Sequence, residues 1–153
     1  MSWHINPQGQ MRRARMAFGE WLSLPEWQWF TTHTFRAEYV SPKEADRHWQ
    51  GWLNSLCLVT KPRPFYFRVV EYQDRGTLHY HSLIGNVGDN IPRLFFKDLW
   101  ELFGFARVVK YDPKLGAAHY VGKYLTKNAG DIRFSHNLKQ HLTQLDTNDI
   151  LGG

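Results

Sequence analysis

Glu71, His79 and His81 are the residues whose types and spacing suit a metal ion. Between them, Asp74, Arg75 and Gly76 read as a three-residue hairpin loop, with Gly76 in the left-handed position that such loops require. Gln73 then faces Thr77, and the same register sets Glu71 opposite His79. Side chains alternate along a strand, so His79 and His81 project from one face about 7 Å apart at their backbones. Directly opposed residues carry Cβ atoms about 4.5–5.5 Å apart, which brings Glu71 onto that face. Two imidazoles and a carboxylate, with further positions open to water or substrate, form a catalytic rather than a structural donor set. Ligand chemistry alone admits zinc, manganese or magnesium. No His-Glu-x-x-His helix is present to indicate a zinc protease. The plain alternative is a cross-strand ion pair in a chain with 8 histidines.

A second cluster is Tyr120-Val121-Gly122-Lys123-Tyr124-Leu125-Thr126-Lys127. Helical spacing places Tyr120, Lys123, Tyr124 and Lys127 on one face. A phenol near its ordinary pKa of about 10 is a poor nucleophile, and a neighbouring cation favours its phenolate. An amphipathic surface helix, its tyrosines at the core edge, would show the same pattern. Taken together, the two clusters suit a metal-assisted phosphodiester transesterification, in which a phenolate attacks and a 3′ hydroxyl leaves.

The elements that must position these residues follow from periodicity. Residues 11–24 predict a basic helix ending before Pro25, and the run from Trp27 to Phe35 predicts a strand. Ser41 is a natural N-cap, Pro42 suits the first helical position and Glu44 completes a capping box. Ala45, Trp49, Trp52, Leu53 and Leu56 recur at helical spacing behind it. Strands follow over Phe65–Gln73 and Leu78–Asn86, then a helix over Pro92–Gly104, a strand over Ala106–Tyr111 and a helix over Ala117–Lys127. The order β-α-β-β-α-β-α implies an α+β fold, an antiparallel sheet covered by helices in a ferredoxin-like arrangement. Residues 128–153 give little pattern.

A length of 153 residues, with 42% hydrophobic and 16% aromatic residues, sets a single folded domain and excludes disorder. The basic segment 1–26, the core 27–127 and the segment 128–153 are its parts. Lys and Arg number 19 against 14 Asp and Glu, and the formal charge of +5 suits a polyanionic partner. The lone Cys57 lies among apolar residues and fits a reducing cytoplasm, where the chain is expected to act. No apolar run reaches membrane-spanning length, so no membrane role is expected. No Gly-x-x-x-x-Gly-Lys-Ser/Thr loop is present for a helicase.

In their order and spacing, three motifs resemble those of the HUH endonucleases, specifically the replication-initiator (Rep) branch. Phe30-Thr31-Thr32-His33-Thr34-Phe35 is similar to the first motif, a strand of the form Phe-x-Thr-x-Thr. His79-Tyr80-His81 is similar to the His-hydrophobic-His motif, and Tyr120 to Lys127 resembles the tyrosine motif. The resemblance implies a five-stranded antiparallel sheet, a Mg2+ or Mn2+ ion and a covalent 5′-phosphotyrosine intermediate. It assigns Glu71, His79 and His81 to the metal and Tyr120 to the leading nucleophile. Tyr124 would be a second phenol and Lys123 would sit near the phosphate. The expected reaction is site-specific nicking and joining of single-stranded DNA, at an origin hairpin or nick site, that initiates rolling-circle replication of a plasmid or phage. A separate helicase and other replication proteins would assist. An HUH-type transposase, a non-catalytic single-strand-binding module and a hydrolase of small phosphoesters are the alternatives. Candidate DNA contacts are Arg12, Arg13, Arg15, Arg36, Thr32, Thr34, Lys61, Arg63 and Lys127 for the strand, and Trp27, Trp29, Tyr72 and Tyr80 for bases. His33 departs from the apolar residue expected in the first motif, which leaves open whether it faces the core or the site.

Overall fold

The computed structural model describes residues 19–60, 63–73, 76–88, 90–127 and 131–151. Its elements are β1 (Trp27–His33), α1 (Pro42–Val59), β2 (Phe65–Tyr72), β3 (Leu78–Gly85), α2 (Arg93–Asp98), β4 (Ala106–Lys110), α3 (Ala117–Lys127), β5 (Ile132–Phe134) and α4 (His136–Leu151). The strands form one five-stranded sheet in the order β4-β1-β3-β2-β5, and all four pairings are antiparallel. The expected α+β fold, a five-stranded antiparallel sheet flanked by helices, is therefore the one observed.

Alternation along the strands divides the interior in two. Val70, Leu78, Tyr80, Ile84 and Val108 lie on one face under Trp49, Trp52 and Leu56 of α1 and Phe96 of α2. Phe65, Phe67, Val69 and Leu83 lie on the other under Val121, Tyr124 and Leu125 of α3 and Leu138 and Leu142 of α4. α1 starts where its sequence dictates, with the Ser41 hydroxyl accepting from the Glu44 N–H at 3.2 Å and Pro42 in the first turn.

Two elements differ from the sequence pattern. The helix expected over 92–104 stops at Asp98, and the chain continues to Gly104 through tight turns in which Trp100, Glu101 and Phe103 donate to carbonyls three residues back. That tightening accompanies the burial of Trp100, whose indole N–H reaches the Thr34 carbonyl at 2.8 Å. In the weakly patterned 128–153 segment, three residues form β5 on the edge of β2, followed by α4. Of the helix expected over 11–24, residues 19–22 are helical and 11–18 lie outside the described residues.

Candidate metal centre and tyrosine helix

The β2–β3 hairpin has the register that its sequence implies. Glu71 pairs with His79, the Gln73 N–H donates to the Thr77 carbonyl at 2.8 Å, and Gly76 has φ +77°. Asp74 and Arg75 of the loop lie outside the described residues. Glu71, His79 and His81 consequently share the face covered by α3, and their ligand atoms all lie within 4.8 Å of one another. His81 Nε2 lies 3.3 Å from Glu71 Oε1, and His79 Nδ1 lies 3.7 Å from the same oxygen.

Electrostatics keep this donor set in its ligating form. Burial lowers the His81 pKa to about 4, against the opposing pull of Glu71. His79 is lowered too, again by burial. Burial alone would raise Glu71, but hydrogen bonds from His81 and Gln73 and the charge of the two histidines outweigh it and lower it overall. At neutral pH the set is two neutral imidazoles and one carboxylate, the forms that bind a divalent cation.

The flanking residues fix the ligands. Thr32 on β1 pairs with His81 on β3, and its Oγ1 stands 3.2 Å from His81 Nδ1, placed to accept a proton from that nitrogen. The Gln73 amide nitrogen donates to Glu71 Oε1 at 3.0 Å and lies 3.1 Å from His79 Nδ1. The Tyr124 ring lies flat on His81, with centroids 3.8 Å apart and planes 9° apart. Phe30 runs nearly parallel to the His81 ring at 6.2 Å and touches Tyr120 at 5.1 Å.

The tyrosine helix, α3, lies across the sheet through Ala117, Val121, Tyr124 and Leu125. Tyr124 is buried, and Tyr120, one turn earlier, is half-buried, its hydroxyl accepting the Asp112 N–H at 2.8 Å. Lys123 is exposed with its ammonium 4.8 Å over the Tyr124 ring. A hydrogen bond with the Tyr124 side chain raises its pKa, and Glu71 adds to that. Lys127 lies in the last turn of α3.

Several expected DNA contacts have other roles. Tyr80 is 1% exposed on the opposite face, its hydroxyl on Asp46 at 2.8 Å, because neighbours along a strand alternate faces. Trp27 is buried, with its indole N–H on the Leu22 carbonyl, and Trp29 packs on Phe96. Neither ring is free to stack on a base, whereas Tyr72 is exposed. The Thr34 hydroxyl donates to the Phe105 carbonyl at 3.0 Å and so ties β1 to the start of β4. Arg36 is exposed and reaches the Glu101 carbonyl at 2.9 Å. Arg12, Arg13, Arg15 and Lys61 lie outside the described residues. His33 faces the core, ringed by Trp49, Trp52 and Trp100. Gln73 and Phe30 went unassigned in the sequence reading; the register opposite Thr77 and the alternation with Thr32 are the signals that locate them.

Comparison with known proteins bears on this arrangement. The chain is 30% identical over 124 residues to the phasyl DNA replicon protein arp of Escherichia coli, an alignment covering 64% of this chain and 42% of that protein. The chain thus spans less than half the length of this curated relative. No solved structure gives a significant match. The family model of the ORF2-type replication-associated proteins matches residues 28–129, a stretch that carries β1, the Glu71–His79–His81 hairpin and all of α3, and the chain belongs to that family.

Proposed function

We propose that this chain is an HUH-type endonuclease domain that nicks and rejoins single-stranded DNA at a defined site, starting rolling-circle replication. The observation that carries the reading is the stacking of Tyr124 on His81, which seats a helix with two phenols directly on a cluster of metal-ligating side chains. Membership of a replication-associated family supplies the substrate class.

Glu71, His79 and His81 would hold Mg2+ or Mn2+, and such an ion would withdraw charge from the scissile phosphate. The chain's own residues do the rest. A tyrosine oxygen, Tyr120 leading and Tyr124 as the second phenol, attacks the phosphorus after losing its proton. The new bond is P–O(Tyr), the bond broken is P–O3′, and the departing oxygen takes a proton to become a free 3′ hydroxyl. Attack of a 3′ hydroxyl on the phosphotyrosine reverses the step and rejoins the strand. Lys123, beside Tyr124 and within the field of Glu71, favours the phenolate and the developing phosphate charge. A separate helicase and further replication proteins complete the proposed cycle, with the origin hairpin or nick site as the DNA target.

The test uses end-labelled single-stranded oligonucleotides tiling the origin of the replicon that encodes the chain. A covalent protein–DNA adduct is expected with Mn2+ or Mg2+, abolished by EDTA and by Tyr120→Phe combined with Tyr124→Phe. An adduct that persists in the double variant, or that never forms on any origin strand, overturns the reading.

A further inference from the structure

The β4 edge of the sheet carries two exposed side chains that neither the metal centre nor α3 employs. Arg107 pairs with Thr32, which in turn pairs with His81, so Arg107, Thr32 and His81 form one row across three strands. Ala106 and Val108 on either side of Arg107 are buried in the opposite core. Alternation therefore aims Arg107 at the face that holds the metal-ligating residues. Its side chain is exposed and has no ion pair or side-chain hydrogen bond among the described residues. Two strand spacings, about 10 Å, separate its backbone from that of His81.

Phe105 stands at the head of the same edge, held to Thr34 by the bonds between Thr34 and the Phe105 backbone. It is 57% exposed, a large apolar area left to water. The Lys97 ammonium lies 5.0 Å over the ring. A hollow of about 450 Å³ adjoins it, walled by Phe35, Arg36, Asp98 and Gly104 among others. An exposed ring with cations at its rim is the combination by which proteins hold a single nucleic-acid strand, the ring taking a base and the cations its phosphates.

We infer that the DNA strand leaves the metal centre over β1 toward the β4 edge, with Arg107 on a phosphate next to the scissile one and Phe105 under a base. This track rests on the function proposed above, because it takes its starting point from the scissile phosphate at His81. α3 covers the sheet on the Phe30 and Tyr120 side, while the Thr32 and Arg107 row stays open at its β4 end. Lys123 on α3 and Arg107 on β4 then place cations at both ends of the crossing strand.

Binding of a fluorescein-labelled oligothymidylate to the full chain, followed by anisotropy in EDTA over a salt series, tests the track apart from catalysis. Phe105→Ala is expected to weaken binding by about five- to a hundredfold, and Phe105→Trp to restore it. Arg107→Gln is expected to reduce the slope of log K against log salt by about 0.7, the share of one phosphate contact on a single strand. Lys43→Gln, on the helix covering the opposite face, leaves the slope unchanged. Circular dichroism confirms that each variant is folded. Native binding by Phe105→Ala and Arg107→Gln, or no binding of oligothymidylate by the native chain, overturns the track. If the losses appear but no covalent adduct ever forms on origin DNA, the nicking reaction fails and the binding track stands. If adducts form and these two variants bind as the native chain does, the track alone fails.

Discussion

The ring of Tyr124 covers His81 face to face at 3.8 Å, so one side chain of the tyrosine helix also supports a residue of the metal centre. Two roles for Tyr124 can be separated, one resting on its ring and one on its hydroxyl. Tyr124→Phe keeps the ring and should leave Mn2+ affinity at the native level. Tyr124→Leu keeps an apolar side chain in the core but loses the stack, and should weaken Mn2+ binding by about tenfold, as loss of a contact that orients a ligand does. Isothermal titration of both variants decides it. Equal affinities would mean that the stack does not position His81.

Thr32 supports the same imidazole from the other side. Its Oγ1 at 3.2 Å from Nδ1 can hold His81 in the tautomer that leaves Nε2 free for an ion. Thr32→Val removes the acceptor at nearly constant volume and should cost about 10- to 100-fold in Mn2+ affinity. Thr34→Val, which cuts the link from β1 to Phe105, should leave that affinity alone and reduce oligonucleotide binding instead. A Thr32→Val chain that titrates like the native one refutes the positioning role.

Most of this site was legible because a hairpin register is arithmetic. Once Gly76 fixes the loop, the pairing of Glu71 with His79 follows, and the face shared with His81 follows from the pleat. α3 was legible from its i, i+4 tyrosines. β5 was not, since three residues pinned to the β2 edge carry too short a pattern, and the fifth strand was expected only from the family resemblance. Tyr80 was misassigned to bases because exposure was read from residue type; parity with His79 and His81 would have turned it into the opposite core. The open edge at Arg107 could be recognised only once strand order was known, since nothing local shows that β4 is the outer neighbour of β1.

His33 gives a pH prediction. Its ring is fully buried among three tryptophans, and burial, aided by the charges of His81 and Arg68, lowers its pKa to about 3. The unfolded chain takes up that proton at about pH 6.5 and the folded chain only near pH 3. Between those values the unfolded state binds more protons, so stability is complete above about pH 6.5 and falls as the pH drops toward 3. His33→Phe keeps an aromatic ring in the cluster and removes the titration. Its urea midpoint should fall less between about pH 7 and about pH 5 than that of the native chain. His81 still titrates in the variant, so the slope shrinks without vanishing. Parallel pH profiles for the two chains would refute the assignment.

On the face away from the metal centre, Asp46 gathers three partners. Arg68 reaches Oδ1 at 2.9 Å, Arg133 reaches Oδ2 at 3.0 Å, and the Tyr80 hydroxyl donates to Oδ1 at 2.8 Å. Arg68 is 2% exposed, with its guanidinium 4.1 Å over the Tyr80 ring and 5.2 Å over the Trp49 ring, so its charge depends on Asp46 for neutralisation. Asp46→Asn leaves that cation buried without a counter-charge. The loss should be about 2–3 kcal/mol, the lower range for breaking a buried pair, because Asp46 itself is partly exposed. Adding Arg68→Met removes the stranded charge, and the double variant should be more stable than Asp46→Asn alone. Urea unfolding of the three chains measures the coupling, and Mn2+ titration of the folded variants should match the native chain because the network lies across the sheet from His81. A double variant no more stable than Asp46→Asn would show that the Arg68 charge is not what Asp46 stabilises.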